Sequence, residues 1–162
     1  MPAALEVCKW LEQSLVGTRV RQSLWLFPAI ETVHLLGMAA LLATIGAFDL
    51  RLMGMAFRGE RISVVGRRLL PWAMAGFSLQ VLTGGLLFSS EAAHMVANPA
   101  FRVKMLLIVL AGAHALVFPI VSRRNPRWDD PTQSPLTPKI AGATSLLLWI
   151  GVVAAGRWIG FI

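Results

Sequence analysis

Four long apolar runs divide this chain, with short polar segments between them. The runs cover residues 24–50, 69–90, 105–121 and 140–162. At about 1.5 Å per residue each is long enough, or nearly so, to cross roughly 30 Å of hydrocarbon, and none alternates polar and apolar positions as a membrane β-strand does. The pattern predicts an all-α integral membrane four-helix bundle, with spans at about 24–48, 69–90, 105–121 and 140–160.

The segment before the first run has a different pattern. Between Ala3 and Ser23 the apolar residues stand mostly three or four positions apart among charged ones, which is typical of an amphipathic helix in the headgroup plane. Ser23 and Pro28 then indicate the start of the first span, because Ser caps free amides and Pro is tolerated in a first helical turn. We therefore divide the chain into an interfacial segment, 1–23, and a transmembrane domain, 24–162.

The charge of the chain fits a membrane protein. Of the 162 residues 56% are hydrophobic and 14% charged, against about 25% charged in soluble domains. Cations gather in the connections that follow the first and third runs: Arg51, Arg58, Arg61, Arg67 and Arg68, then Arg123, Arg124, Arg127 and Lys139. By the positive-inside rule these connections are cytoplasmic and both termini lie outside. Membrane orientation, and not nucleic-acid binding, accounts for the net charge of +7.

Few ionisable residues lie inside the predicted spans, and each is a candidate functional residue because charge in hydrocarbon is costly. They are Glu31, His34, His114 and Arg157, with His94 at the outer end of the second span. Counted from Leu24 and from Lys104, His34 and His114 both lie about 15 Å deep. Two imidazoles at one level predict the axial ligands of a b-type haem between the first and third helices. A hydrogen bond between helices is the alternative for His114.

Three further side chains complete the predicted site. Glu31 precedes His34 by one turn, so it can orient the imidazole. At depths of about 10 Å for Glu31 and about 8 Å for Arg157, we also expect these two residues to form a buried ion pair. As an alternative, Arg157 binds a haem propionate or a quinone head group, and Arg102 is a second candidate for that role.

Other chemistries are less strongly indicated. His94 is followed by Met95, and imidazole with thioether suits Cu(I), although the scattered methionines favour core packing. The sequence contains no Ser/His/Asp grouping, phosphate-binding glycine loop, CxxC or HExxH motif. Gly156 and Gly160 form a GxxxG pattern, which is typical of a homodimer face or of a close contact inside the bundle.

Two segments carry a resemblance to a known group: WLFPAIETVHLLG at residues 25–37 and NPAFRVKMLL at residues 98–107. In them the chain resembles small bacterial four-helix membrane proteins that are distantly similar to the membrane domain of copper-resistance protein D and to four-helix b-type cytochromes. The resemblance extends from Ser23 onward through AGFSLQVLTGGLLFSSEA and SLLLWIGVVAAGRWIG. It implies a bacterial inner-membrane protein in which His34, in ETVHLLG, is a haem or metal ligand.

The sequence thus leads to three functional expectations. The first is a b-type haem protein with His34 and His114 as axial ligands, His94 as the alternative second ligand, and one-electron transfer in the membrane to a quinone or a redox partner protein. The second is a copper-homeostasis transporter or accessory protein that uses His34, His94 and methionines. The third is a cofactor-free scaffold subunit.

Overall fold

The computed structural model describes residues 2–130 and 135–161, with side chains from residue 5 onward. Over these ranges it contains seven α-helices, one short 3-10 helix at Pro126–Asp129 and no strand. The α-helices are α1 (Pro2–Gln13), α2 (Leu15–Gln22), α3 (Leu26–Leu52), α4 (Ile62–Ser90), α5 (Ala92–Ala97), α6 (Pro99–Arg123) and α7 (Leu136–Trp158). The four long helices, α3, α4, α6 and α7, are apolar and long enough to cross a membrane. The predicted all-α four-helix membrane bundle is confirmed.

The long helices extend past most of the predicted span ends. Helix α4 begins at Ile62 and α6 at Pro99, whereas hydropathy predicted starts at residues 69 and 105. Hydropathy detects only the apolar part of a helix, while backbone hydrogen bonding continues through polar residues at the headgroup level. Caps set the true ends: the Asn98 side-chain oxygen accepts from the Ala100 amide at 2.9 Å, and the Ser23 hydroxyl accepts from the Leu26 amide at 3.1 Å. As predicted, Ser23 accepts from free amides at this helix start, while Trp25 occupies the N-cap position.

The N-terminal segment is helical, as predicted, and it is divided into two helices. Ser14 ends the first and caps the second, because its hydroxyl accepts from the Gly17 amide at 3.1 Å. Helices α1 and α2 pack on α5 and on the C-terminal part of α4, and they bury Cys8 and Val20. We call this end of the bundle, with α1, α2 and α5, the cap end.

The four long helices are arranged in the order α4, α3, α7, α6. Helix α3 packs against α4 and α7, and α7 packs against α6. Along their described lengths α4 and α6 do not pack backbone against backbone, although Phe88 and Phe101 stack between them with ring centroids 5.5 Å apart. Each helix directs apolar side chains outward; Leu36, Leu82, Leu116 and Leu147 are 67%, 67%, 73% and 69% exposed. These outer faces match lipid rather than water.

The opposite end of the bundle carries the α3–α4 connection and the segment after α6, and we call it the basic end. Arg51 is 6% exposed, and its Nε donates to the Glu60 carbonyl at 2.8 Å. Asp129, in the 3-10 helix, accepts from the Ser63 amide and from the Ser63 hydroxyl, both at 2.7 Å. These bonds close the connections over the ends of α3 and α4.

Candidate functional site

His34 lies at the α3–α4 interface, where one hydrogen bond selects the tautomer of its imidazole. Its Nδ1 is 2.8 Å from the Thr83 hydroxyl oxygen, and that hydroxyl also bonds the Leu79 carbonyl at 2.6 Å. A hydroxyl has one hydrogen, and a carbonyl can only accept, so Thr83 donates to Leu79 and accepts from the Nδ1–H of His34. In the neutral imidazole, Nε2 is then the unprotonated nitrogen. That is the form that ligates a metal.

The backbone around His34 is held close to α4. The Gln80 side-chain nitrogen donates to the His34 carbonyl at 2.6 Å. A Cβ at Gly84 would lie 3.3 Å from Cε1 of His34, and a Cβ at Gly37 would lie 2.9 Å from Cδ2 of Leu79. The two glycines thus let α3 and α4 approach, and the imidazole is fixed from two sides.

Lys104 is a member of the site that sequence reasoning missed. It is half-buried on α6, and a Cβ at Gly156 of α7 would lie 3.4 Å from its Nζ. It lies within electrostatic range of the His34 imidazole, and it forms no ion pair with any residue in the described ranges. In the sequence it stands directly before an apolar run and therefore resembles a span boundary. We define the His34 site as His34, Gln80, Thr83, Gly84 and Lys104.

The level of His114 follows from the packing of α6 against α7. A Cβ at Gly151 would lie 3.2 Å from Leu107, so these two residues are level. The helices are antiparallel, and Ser145 precedes Gly151 by six residues. Ser145 therefore lies at the same height along the bundle axis as the residues next to His114.

The same reasoning separates His114 from His34. Gly142, one turn before Ser145 on α7, packs against Asp49 of α3, because a Cβ at Gly142 would lie 2.7 Å from the Asp49 carbonyl oxygen. Asp49 follows His34 by 15 residues. That spacing corresponds to about 22 Å of helix, so the structure does not bring the two imidazoles to one iron atom. The predicted pair fails because α6 begins at Pro99 and the helices are staggered, so that counting from Lys104 underestimates the depth of His114.

The other predicted side chains do not join His34. His94, Glu31, Arg102 and Arg157 are exposed, and the Arg102 Nε donates to the Val96 carbonyl at 2.9 Å. The expected Glu31–Arg157 ion pair is wrong: within residues 2–130 and 135–161 the ion pair that forms is Arg68–Glu60, at 2.7 Å. Both partners of the expected pair are exposed, so neither occupies the buried position that the prediction gave it.

The described residues do not form a cluster of metal ligands. No three side chains of His, Cys, Asp or Glu come together in the described part of the chain, so a metal here would depend on an isolated imidazole or on thioether ligands.

A second polar residue that the hydropathy pattern missed is Asp49, which lies one residue past the predicted end of the first span and is 2% exposed inside α3.

A family model matches residues 7–162. The chain belongs to the family of unknown function DUF6644. No curated protein and no solved structure matches the chain significantly. Membership therefore fixes the extent of the shared sequence, which includes the His34 site, and assigns no activity. The similarity to copper-resistance protein D and to four-helix b-type cytochromes stays a prediction.

Proposed function

We propose that this protein binds haem b at the His34 site and transfers single electrons within a bacterial inner membrane. The observation that carries the proposal is the Nδ1 bond to Thr83, which leaves Nε2 of His34 as the ligating nitrogen. Haem iron with an axial imidazole supplies one-electron redox chemistry. Lys104 is half-buried within electrostatic range of the imidazole and is the basic side chain that would hold a propionate.

The donor set fits one axial position. His114 is too far along the bundle axis, and His94 is exposed on the short helix α5 at the cap end. The proposal therefore assigns His34 alone as the protein ligand from this chain, in place of the predicted pair. A quinone or a redox partner protein is the proposed electron donor or acceptor, and the loose α4–α6 seam is where a quinone has access from the lipid.

An absorption spectrum tests this proposal. Protein purified in detergent without added haem should show a Soret band that shifts on reduction with dithionite. His34→Ala should remove the band, while His94→Ala and His114→Ala should retain it, because neither imidazole reaches the site. A colourless wild-type protein without a pyridine-haemochrome signal overturns the proposal. Loss of the band in His114→Ala but not in His34→Ala would overturn the assignment of the ligand.

We also propose that the basic end lies in the cytoplasm and the cap end in the periplasm. The support is the cluster of arginines at the basic end, which the positive-inside rule places in the cytoplasm. Cys8 is the single cysteine of the chain, so a Cys8→Ser background allows Gly59→Cys and Gly160→Cys to be labelled separately. An impermeant maleimide applied to spheroplasts should label Gly160→Cys and should leave Gly59→Cys unlabelled. The reverse pattern would invert the topology.

A copper role is the second candidate, and one observation favours it. Met38 follows His34 by one turn on α3, and both are half-buried, so one helix face presents an imidazole and a thioether, which suit Cu(I). A colourless preparation with stoichiometric copper that Met38→Leu and His34→Ala both lose would favour this role. Protein without haem or copper would favour the scaffold role. Gly156 of the GxxxG pattern faces Lys104 inside the bundle. This contact favours the internal role of the pattern over a homodimer face.

A further inference from the structure

Asp49 is a buried acidic residue at the α3–α7 interface, away from the His34 site. It is 2% exposed, and its Oδ2 has no hydrogen-bond partner among the described residues. The Ser145 side chain of α7 lies close enough to act on this carboxyl group. Ser145 is itself 8% exposed. One polar residue on each helix therefore faces the other inside an apolar interface.

The packing around Asp49 excludes water. A Cβ at Gly142 of α7 would lie 2.7 Å from the Asp49 carbonyl oxygen and 2.9 Å from Cβ of Leu52. This glycine allows α7 to approach the backbone of α3 at the level of the carboxyl group. Leu52 is 4% exposed, and Pro138, one turn before Gly142 on α7, is fully buried. The helices thus meet here without a gap.

No charged group in the described structure is paired with Asp49. On its own helix, the Arg51 guanidinium is directed to the Glu60 carbonyl. On α4, Arg68 pairs with Glu60 and Arg67 is exposed. The remaining titratable residues near this level are half-buried and form no ion pair with it: Lys139 on α7 and His114 on α6. An ionised carboxylate without a counter-charge is strongly disfavoured in such surroundings.

We propose that Asp49 and Ser145 form an intramembrane proton-binding site that carries its proton at neutral pH. A hydronium ion at the basic end gives up a proton and becomes water, and a carboxyl O–H bond forms on Asp49, so that the buried group is neutral. The exchange path is short, because Asp49 lies three residues before the end of α3 at Leu52, about 5 Å along the helix. The proposal does not depend on haem, since the two sites are about 22 Å apart along α3.

Infrared difference spectroscopy of the full-length protein in detergent or lipid tests this site. At neutral pH the wild type should show the carbonyl stretching band of a protonated carboxylic acid, and the band should shift in D₂O. Asp49→Asn should remove it, and Asp129→Asn, which changes a carboxylate outside the spans, should leave it in place. Ser145→Ala should retain the band and shift its frequency, because a hydrogen bond to the acid is lost.

Two outcomes overturn the proposal. One is a wild-type spectrum with no acid band that depends on Asp49. The carboxyl group of Asp49 is then ionised. The other is a Ser145→Ala spectrum identical to that of the wild type, which removes Ser145 from the site. If Asp49→Asn fails to fold, the Ser145→Ala shift and the D₂O shift still decide the question. An ionised Asp49 together with stabilisation by Na⁺ but not by K⁺ would identify a cation site instead.

Discussion

The Nδ1 atom of His34 and the Thr83 hydroxyl oxygen lie 2.8 Å apart across the α3–α4 interface. Because the Thr83 hydroxyl donates to the Leu79 carbonyl, the bond determines which imidazole nitrogen stays free. The Leu79 carbonyl of α4, by accepting from Thr83, thereby determines that Nε2 is the nitrogen of His34 that can bind a metal. The arrangement resembles the outer-shell hydrogen bonds that orient metal-bound histidines.

Removing this hydroxyl should weaken ligand binding at His34. Thr83→Val keeps a β-branched side chain and removes the acceptor for Nδ1–H, so haem affinity should fall about 10- to 100-fold. Thr83→Ser keeps the hydroxyl and should bind as the wild type does. Haem titration of the purified protein measures the affinity, and nitrogen NMR of labelled imidazole measures the tautomer without haem. Equal affinities for the Val and Ser variants would contradict this relationship.

Adding one methyl group at Gly142 should destabilise the bundle. The new Cβ would lie 2.7 Å from the Asp49 carbonyl oxygen, and the backbone of α3 cannot yield as a flexible side chain can. We expect Gly142→Ala to cost about 1–3 kcal/mol in the free energy of unfolding. Gly112→Ala is the matched control, since nothing lies within 4 Å of its Cβ position. Unfolding in detergent compares the two, and equal stabilities would refute the close contact.

The docking of α1 can be measured through Cys8. The Glu12 side chain accepts from the Ala93 amide at 2.8 Å and so ties α1 to the start of α5. Losing such a cap costs about 1 kcal/mol, which corresponds to about a fivefold rise in the open population. Cys8, 7% exposed, should then react with maleimide about five times faster in Glu12→Ala. Glu6→Ala changes an exposed carboxylate on the same helix and should leave the rate unchanged; an equal rise there would argue against the tie.

The basic end should loosen when Asp129 is removed. Its carboxylate accepts from both the amide and the hydroxyl of Ser63 at 2.7 Å, in the first turn of α4. Asp129→Ala should lower the hydrogen-exchange protection of that turn by about 1 kcal/mol. Glu31→Ala, an exposed acid at the other end of the bundle, is the control. Unchanged exchange in Asp129→Ala would show that the 3-10 helix does not anchor α4.

The sequence predicted the fold class well and the helix ends less well. Apolar runs identify spanning segments because the bilayer admits backbone only in hydrogen-bonded form. The same runs do not show that α4 begins at Ile62, since Arg67 and Arg68 interrupt the apolar pattern without interrupting the helix. Ser14 likewise divides the N-terminal segment, and its capping role was hidden within a periodic pattern.

The sequence singled out His34, which the structure places at the α3–α4 interface, but it did not give the surroundings of this residue. Thr83 and Lys104 carry no spacing signal that links them to His34, because they lie on other helices. Glu31 and Arg157 have plausible depths and are nevertheless exposed. Depth along a helix is a one-dimensional quantity, and the direction in which a side chain points depends on the neighbouring helices.

By itself, the sequence determined that this is a four-helix membrane bundle with a basic end, because hydropathy and charge are properties of composition and order. The tertiary structure decided which polar residues meet. The stagger of α6 against α3 separates His114 from His34, glycines at the helix contacts bring His34 to Thr83, and Gly142 brings α7 to Asp49. These outcomes follow from the relative rotation and shift of packed helices, which the steric fit of side chains sets only in the folded bundle.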